Sequence, residues 1–193
     1  MILIIDHRDS FTRNLEHLLA EFGKVEVIDR LKAREKCREA QMLVLSPGPG
    51  RPTDYPETIK LYEEWRGEKP ILGICLGFQL MLEAEGAKII RQEKVLHGVE
   101  TEIETTCKSI TYEGIEPPIK VGRYHSLQAC ADSPKNLPNS IRITAIDRIR
   151  NVPLSFEDCD RKLFGLQYHP ESFLTNHGHA IAANVVRACL GSG

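Results

Sequence analysis

A cysteine held between two glycines, in the stretch GICLGFQ from Gly73 to Gln79, is the residue of this chain best placed for nucleophilic chemistry. The apolar run PILGI before it reads as a buried strand, and FQLMLEAEG after it as a helix. Gly-x-Cys-x-Gly at a strand-to-helix junction has the form of a nucleophile elbow with cysteine in place of serine. Such a turn strains the backbone at Cys75, and Gly73 and Gly77 relieve the crowding on either side. The helix N-terminus beside it favours a thiolate. A cysteine that only fills space needs neither glycine. The other five, Cys37, Cys107, Cys130, Cys159 and Cys189, have no such setting and read as small packing residues.

A nucleophile needs a base. In LQYHPES, Leu166 to Ser172, a strand-like run meets His169, with Glu171 two residues on. A histidine just past a strand end can present its ring to a cleft while the following carboxylate fixes its tautomer. Cys75, His169 and Glu171 then make a triad for acyl transfer through a thiol. The remaining histidines read as surface or satisfied core residues, with His97 and His125 left open. SPGPG, Ser46 to Gly50, is a stiff turn whose N–H groups are free to face a ligand; taken alone it serves equally as an ordinary tight turn.

These segments need elements to bring them together. MILIID, KVEVID, MLVLS and PILGIC are strand-like; DSFTRNLEHLLAEFG, with Ser10 as N-cap, RLKAREKCREA and PETIKLYEEWRG are helical. The alternation predicts a mainly parallel central sheet with helices on both faces, in which ligand sites lie beyond the carboxyl ends of the strands. From about Ala87 the pattern turns to short strand-like pieces, AKIIR, TEIET, IRITAID, VPLSFED and KLFGLQYH, which predict a small antiparallel extension closed by a helix near GHAIAANVVRACL. No linker or repeat divides the chain, so residues 1–193 are expected to form one domain.

Composition narrows the function. With 193 residues, 41% hydrophobic and 27% charged, and a net charge of −2, the chain has no basic field for nucleic acid or an anionic membrane. The opening strand leaves no room for a leader and no apolar run approaches a spanning length, so a cytoplasmic protein is expected. The scattered cysteines, without a CxxC pair, predict neither a disulfide scaffold nor a zinc site.

SPGPG, GICLGFQ, YHSL at Tyr124 to Leu127 and YHPES stand in the order seen in class I glutamine amidotransferases, which the chain resembles over nearly its whole length. Within that class, DSFT, SPGPGRP, RYHSL and HPESFLTNHG resemble the glutaminase subunit, component II, of anthranilate synthase and aminodeoxychorismate synthase. The resemblance implies a flavodoxin-like sheet and carries over Cys75 as nucleophile, His169 as general base and acid, and Glu171 as the residue orienting the imidazole. It implies an oxyanion hole from the N–H groups of Gly50 and Leu76 beside Gly48, and a grip on the amino-acid end of glutamine by Gln79 and the main chain of Ser126 and Leu127. It also implies L-glutamine as substrate and a chorismate-using synthase subunit, component I, as partner in a hetero-oligomer. No metal, nucleotide or flavin is then expected on this chain, any Mg2+ belonging to the partner.

The chain departs from the family in places. Phe78 stands where the family has histidine, which would remove a hydrogen bond beside Gln79; DHRDSFTRN replaces an opening closer to DNYDSFTYN; and HGVE at His97 to Glu100 lacks the usual lysine. A stand-alone γ-glutamyl thiol hydrolase and a catalytically idle regulatory subunit are the alternative readings. A nucleotide-binding module is disfavoured, because neither G-x-x-x-x-G-K-[ST] nor G-x-G-x-x-G after the first strand is present.

Overall fold

Short apolar runs alternate with helices through the first half of the chain, and the structure follows them closely. The computed structural model describes residues 1–191. In it β1 (Ile2–Asp6), α1 (Thr12–Ala20), β2 (Val25–Asp29), α2 (Ala33–Lys36), β3 (Met42–Leu45), α3 (Pro56–Trp65), β4 (Ile71–Ile74) and α4 (Leu76–Ala84) succeed one another. The chain continues through β5 (Ile89–Arg91), β6 (Val99–Thr105), β7 (Ile119–Arg123), β8 (Leu127–Ala129), β9 (Arg142–Asp147), β10 (Val152–Asp158) and β11 (Leu163–Leu166) to α5 (Gly178–Leu190).

Nine strands share one sheet in the order β2-β1-β3-β4-β11-β10-β9-β6-β7, while β5 and β8 form a separate ribbon. From β2 to β11 the neighbours are parallel, and from β11 to β7 they are antiparallel. Alternation along β1 sends Ile2 and Ile4 to one face and Leu3 and Ile5 to the other. The first face is covered by Leu15 and Leu19 of α1 and by Ile181, Val185 and Val186 of α5. The second is covered by Ala33 of α2, Leu61 and Tyr62 of α3, and Phe78 and Met81 of α4. Helices on both faces explain why β3 and β4 are apolar without interruption, since every side chain on them leaves water.

The sheet departs from the sequence-based expectation at β11. The segment KLFGLQYH was expected in the antiparallel extension, but Leu163–Leu166 lies parallel to β4, with Gly165 opposite Gly73 and Leu166 opposite Ile74. The cause is the β9-β10-β11 meander: two reversals return the chain in the direction of β4, where it completes the parallel half. The start of α1 also differs. Asp9, not Ser10, closes the turn, accepting the Phe11 N–H at Oδ1 and the Thr12 N–H at its carbonyl.

Four adjacent parallel strands, β1, β3, β4 and β11, therefore end along one rim. They release, in that order, residues 7–11, 46–50, 75 and 167–171.

Candidate active site

Cys75 caps the N-terminus of α4 with φ 53° and ψ −97°. A non-glycine residue at such angles stores roughly 1–3 kcal/mol of strain and persists only where its surroundings impose it. Here the Cys75 N–H is tied to the Leu166 carbonyl at 2.8 Å, which extends the β4–β11 ladder into the turn. The flanking glycines are required by packing. A Cβ on Gly73 would stand 2.6 Å from the Gly77 carbonyl carbon, and one on Gly77 would stand 2.2 Å from the Leu45 carbonyl oxygen. The helix can thus start directly against the sheet and hold the thiol at its positive end.

His169 follows β11 on the neighbouring strand. Its Nδ1 lies 2.7 Å from Glu171 Oε1, and both side chains are almost wholly buried. The ring packs against Phe11 and Tyr124, with centroids 4.7 and 5.1 Å away, and these two rings also touch each other at 4.7 Å. A main-chain bond from the His169 N–H to the Gly122 carbonyl, and the Thr175 hydroxyl on the His169 carbonyl, hold the residue to β7 and the following loop. Burial alone would disfavour the imidazolium; the Glu171 charge, the nearby Cys75 sulfur and the hydrogen bond to Glu171 outweigh it and hold the pKa well above the usual value. Nε2, the nitrogen not engaged by Glu171, is buried and has no hydrogen-bond partner among the described residues.

Gly48, Gly50, Cys75, Leu76, Gln79, Ser126 and Leu127 line one cleft of about 180 Å³, together with Asp9 and Tyr124. Gly48 has no room for a side chain, since a Cβ there would meet Leu76 Cδ2 at 2.4 Å and His7 Cβ at 2.6 Å. Gly50 has φ +76°, the left-handed region that glycine enters freely. Tyr55 donates its hydroxyl to the Pro49 carbonyl at 2.7 Å, which pins the turn from outside. The Leu76 N–H, first in α4, is beyond the reach of any helical carbonyl. Gln79 donates through Nε2 to the Leu127 carbonyl at 3.1 Å and to Gln167 Oε1 at 3.0 Å. A larger cavity of about 790 Å³, lined by Cys107, Lys108, Tyr112 and Arg142, contains no histidine beside its thiol.

Of the residues assigned to the site from the sequence, Gly48, Gly50, Cys75, Leu76, Gln79, Ser126 and Leu127 thus line the cleft, while His169 and Glu171 follow the strand next to the one that carries Cys75. Three others were not foreseen: Phe11 and Tyr124, which pack against the imidazole, and Gln167, whose Nε2 stands 3.8 Å from Cys75 Sγ. Tyr124 lies in the quoted YHSL and Gln167 in LQYHPES, but neither pattern reveals which way the side chain turns. Phe78 does not bear on the cleft. It is fully buried on the opposite side of α4, against Phe156 at 5.7 Å.

A scan against protein-family models matches residues 3–189 to Glutamine amidotransferase class-I. The chain belongs to the class I glutamine amidotransferases. Aminodeoxychorismate synthase component 2 of Escherichia coli (strain K12) is 36% identical over 188 residues, covering 95% of this chain and 98% of the relative. Anthranilate synthase component 2 of Lactococcus lactis subsp. lactis is likewise 36% identical over 188 residues, covering 96% and 93%. The fold is shared with the crystal structure of a glutamine amidotransferase from Thermotoga maritima, with a TM-score of 0.76 at 17% identity over 99% of this chain and 98% of that one. Membership accounts for the order of the SPGPG turn, the elbow and the histidine–glutamate pair along this amidotransferase chain. Among the described residues, no helix is long and apolar enough to cross a membrane.

Proposed function

We propose that this amidotransferase is the glutaminase subunit of a chorismate-using synthase, either anthranilate or aminodeoxychorismate synthase, working in the cytoplasm as part of a hetero-oligomer. The observation that carries the reading is the strained Cys75 elbow set beside the buried His169–Glu171 pair at one rim. Gln79 and the main chain at Ser126 and Leu127 hold the amino-acid end of glutamine, and the side-chain amide reaches Cys75. The sulfur adds to the carboxamide carbon, and the N–H groups of Gly50 and Leu76 receive the negative charge on its oxygen. His169 gives its proton to the departing nitrogen, so ammonia leaves and a γ-glutamyl thioester remains. His169 then takes a proton from water as the hydroxide adds to the thioester, and glutamate is released with the thiolate restored. Each step uses groups of this chain alone. Ammonia passes to the synthase subunit.

The test is Cys75→Ser in the complex co-purified with its synthase subunit. This nearly isosteric change should abolish synthesis from glutamine and chorismate while leaving synthesis from chorismate and a high concentration of ammonium salt at alkaline pH. Loss of both reactions with the complex intact would place this chain in the synthase chemistry itself. Full glutaminase activity of the isolated chain would favour a stand-alone hydrolase.

A further inference from the structure

A series of buried hydrogen bonds runs from an ion pair within the sheet to the sulfur of Cys75. Arg123, fully buried, donates through Nη1 to Asp147 at 2.6 Å and through Nε to His125 Nε2 at 3.0 Å. A guanidinium can only donate, so His125 accepts at Nε2 and carries its proton on Nδ1. That proton goes to the Leu127 carbonyl at 2.6 Å. Burial first, and then the Arg123 charge, push the His125 pKa down to about 3, which leaves the ring neutral. The Leu127 carbonyl also accepts from Gln79, so the Gln79 amide must turn its nitrogen that way. The same nitrogen faces Gln167 Oε1 at 3.0 Å, and this leaves Gln167 Nε2 for Cys75 Sγ at 3.8 Å.

The geometry points to Gln167 as a positioning residue: its amide, oriented by Gln79, donates to the Cys75 sulfur and links the substrate-gripping end of the cleft to the nucleophile. The inference rests on the reading of Cys75 as nucleophile. An N–H aimed at sulfur favours thiolate over thiol, and in a buried site the effect is little screened. Gln167 is fully buried and Gln79 is 3% exposed. A leucine at 167 would fill the same space without the cost of desolvating an amide, so the polar side chain is better explained by what it bonds than by packing. Because Gln79 uses its nitrogen for Leu127 and Gln167, its oxygen remains for the substrate. Glutamine can therefore bind without releasing the amide that faces sulfur.

The experiment follows carboxamidomethylation of Cys75 by iodoacetamide between pH 5 and 9 in Gln167→Leu, Gln79→Leu and the double variant, with thermal midpoints measured alongside. The other polar and titratable groups around the thiol are His169 and Glu171 after β11, Asp9 after β1, and Tyr124 and His125 after β7, and none of them is altered. Gln167→Leu should move the pH–rate profile to higher pH and slow labelling at pH 7 about fivefold, the scale of one buried hydrogen bond. Gln79→Leu should move it in the same direction, and the double variant no further than Gln167→Leu alone, as for residues acting in series. A packing role would lower the thermal midpoint and leave the profile in place. Should leucine at 167 prevent folding, Gln167→Met, close in volume and unbranched, takes its place. An unmoved profile with Cys75 still labelled overturns the inference, and additive shifts in the double variant overturn the link through Gln79. If wild-type Cys75 is not labelled ahead of the other cysteines, the nucleophile assignment falls and this inference with it.

Discussion

His169 Nδ1 and Glu171 Oε1 are 2.7 Å apart although only one residue separates them in the chain. Proline between them turns the backbone so that both side chains point into the same buried site. The pair differs from a freely mobile histidine and carboxylate because Phe11 and Tyr124 hold the ring independently of the carboxylate. His169→Ala removes both proton transfers, each worth about 10²–10⁴-fold, whereas Glu171→Ala leaves an imidazole still packed against Phe11 and Tyr124. In a partner-saturated glutaminase assay the loss in kcat should be at least about 10²-fold for His169→Ala and clearly smaller for Glu171→Ala. Since the Glu171 charge raises the His169 pKa, Glu171→Ala should also move the histidine-dependent limb of the kcat/KM profile to lower pH. Equal losses and unmoved profiles would remove the distinction.

Phe78 offers a sharper test of what the family comparison implies. It stands in the apolar cluster with Phe156 and Met81, away from the cleft. Phe78→His, which restores the residue expected at this position, should therefore leave the KM for glutamine unchanged. It should lower stability by about 1–3 kcal/mol, because the imidazole gains no partner there. Chemical denaturation and initial-rate kinetics measure the two quantities separately, and a lower KM would show that α4 turns this position toward substrate.

The elbow glycines are a third point of test. Gly77→Ala places a methyl group 2.2 Å from the Leu45 carbonyl oxygen, main chain that cannot move without shifting β3. A kcat loss much larger than the drop in thermal midpoint is expected, because displacing α4 moves Cys75 and the Leu76 N–H together. Gly67→Ala is the control. Unlike Gly77, that glycine has positive φ (+88°), but among the described residues nothing lies within 4 Å of its Cβ position, so only its backbone preference is penalised and activity should persist.

These cases also show what the sequence made legible. The elbow and the strand-end histidine were readable because their meaning is local: glycine at 73 and 77, and a carboxylate two residues after an imidazole, act within a few residues of one another. The direction of β11 was not, since LFGL is buried on both faces and an apolar run carries no polarity of pairing. Gln167 was hidden for a related reason. Its contact with Cys75 joins residues 92 positions apart, and only the adjacency of β4 and β11 brings them together. Phe78 was read as removing a hydrogen bond beside Gln79, yet successive residues on a helix face about 100° apart. Here that rotation separates core from site.

His7 supplies the last prediction, on stability and pH. Its ring nitrogens meet the hydroxyls of Ser46 and Thr58, each at 3.1 Å, beneath the turn that carries Gly48 and Gly50. Burial lowers its pKa from 6.5 to about 4 despite the Ser46 bond, and His125 is lowered to about 3. Between those values and 6.5 the unfolded chain binds protons that the folded chain refuses. Stability from both residues is therefore full above about pH 6.5 and falls as the pH drops, by about 2 kcal/mol for each at pH 5. His169 acts in the opposite sense: its raised pKa stabilises the fold below the unfolded value, and that contribution is lost as the pH rises through the folded one. A single protein thus reports a mixture, but His7→Asn removes one term and leaves the other two in place. Urea unfolding at pH 7.5 and pH 5 should show the variant losing about 2 kcal/mol less than wild type between the two conditions. An identical loss in both proteins would mean that His7 takes up its proton without leaving the turn, and that its burial does not govern the acid limb of stability.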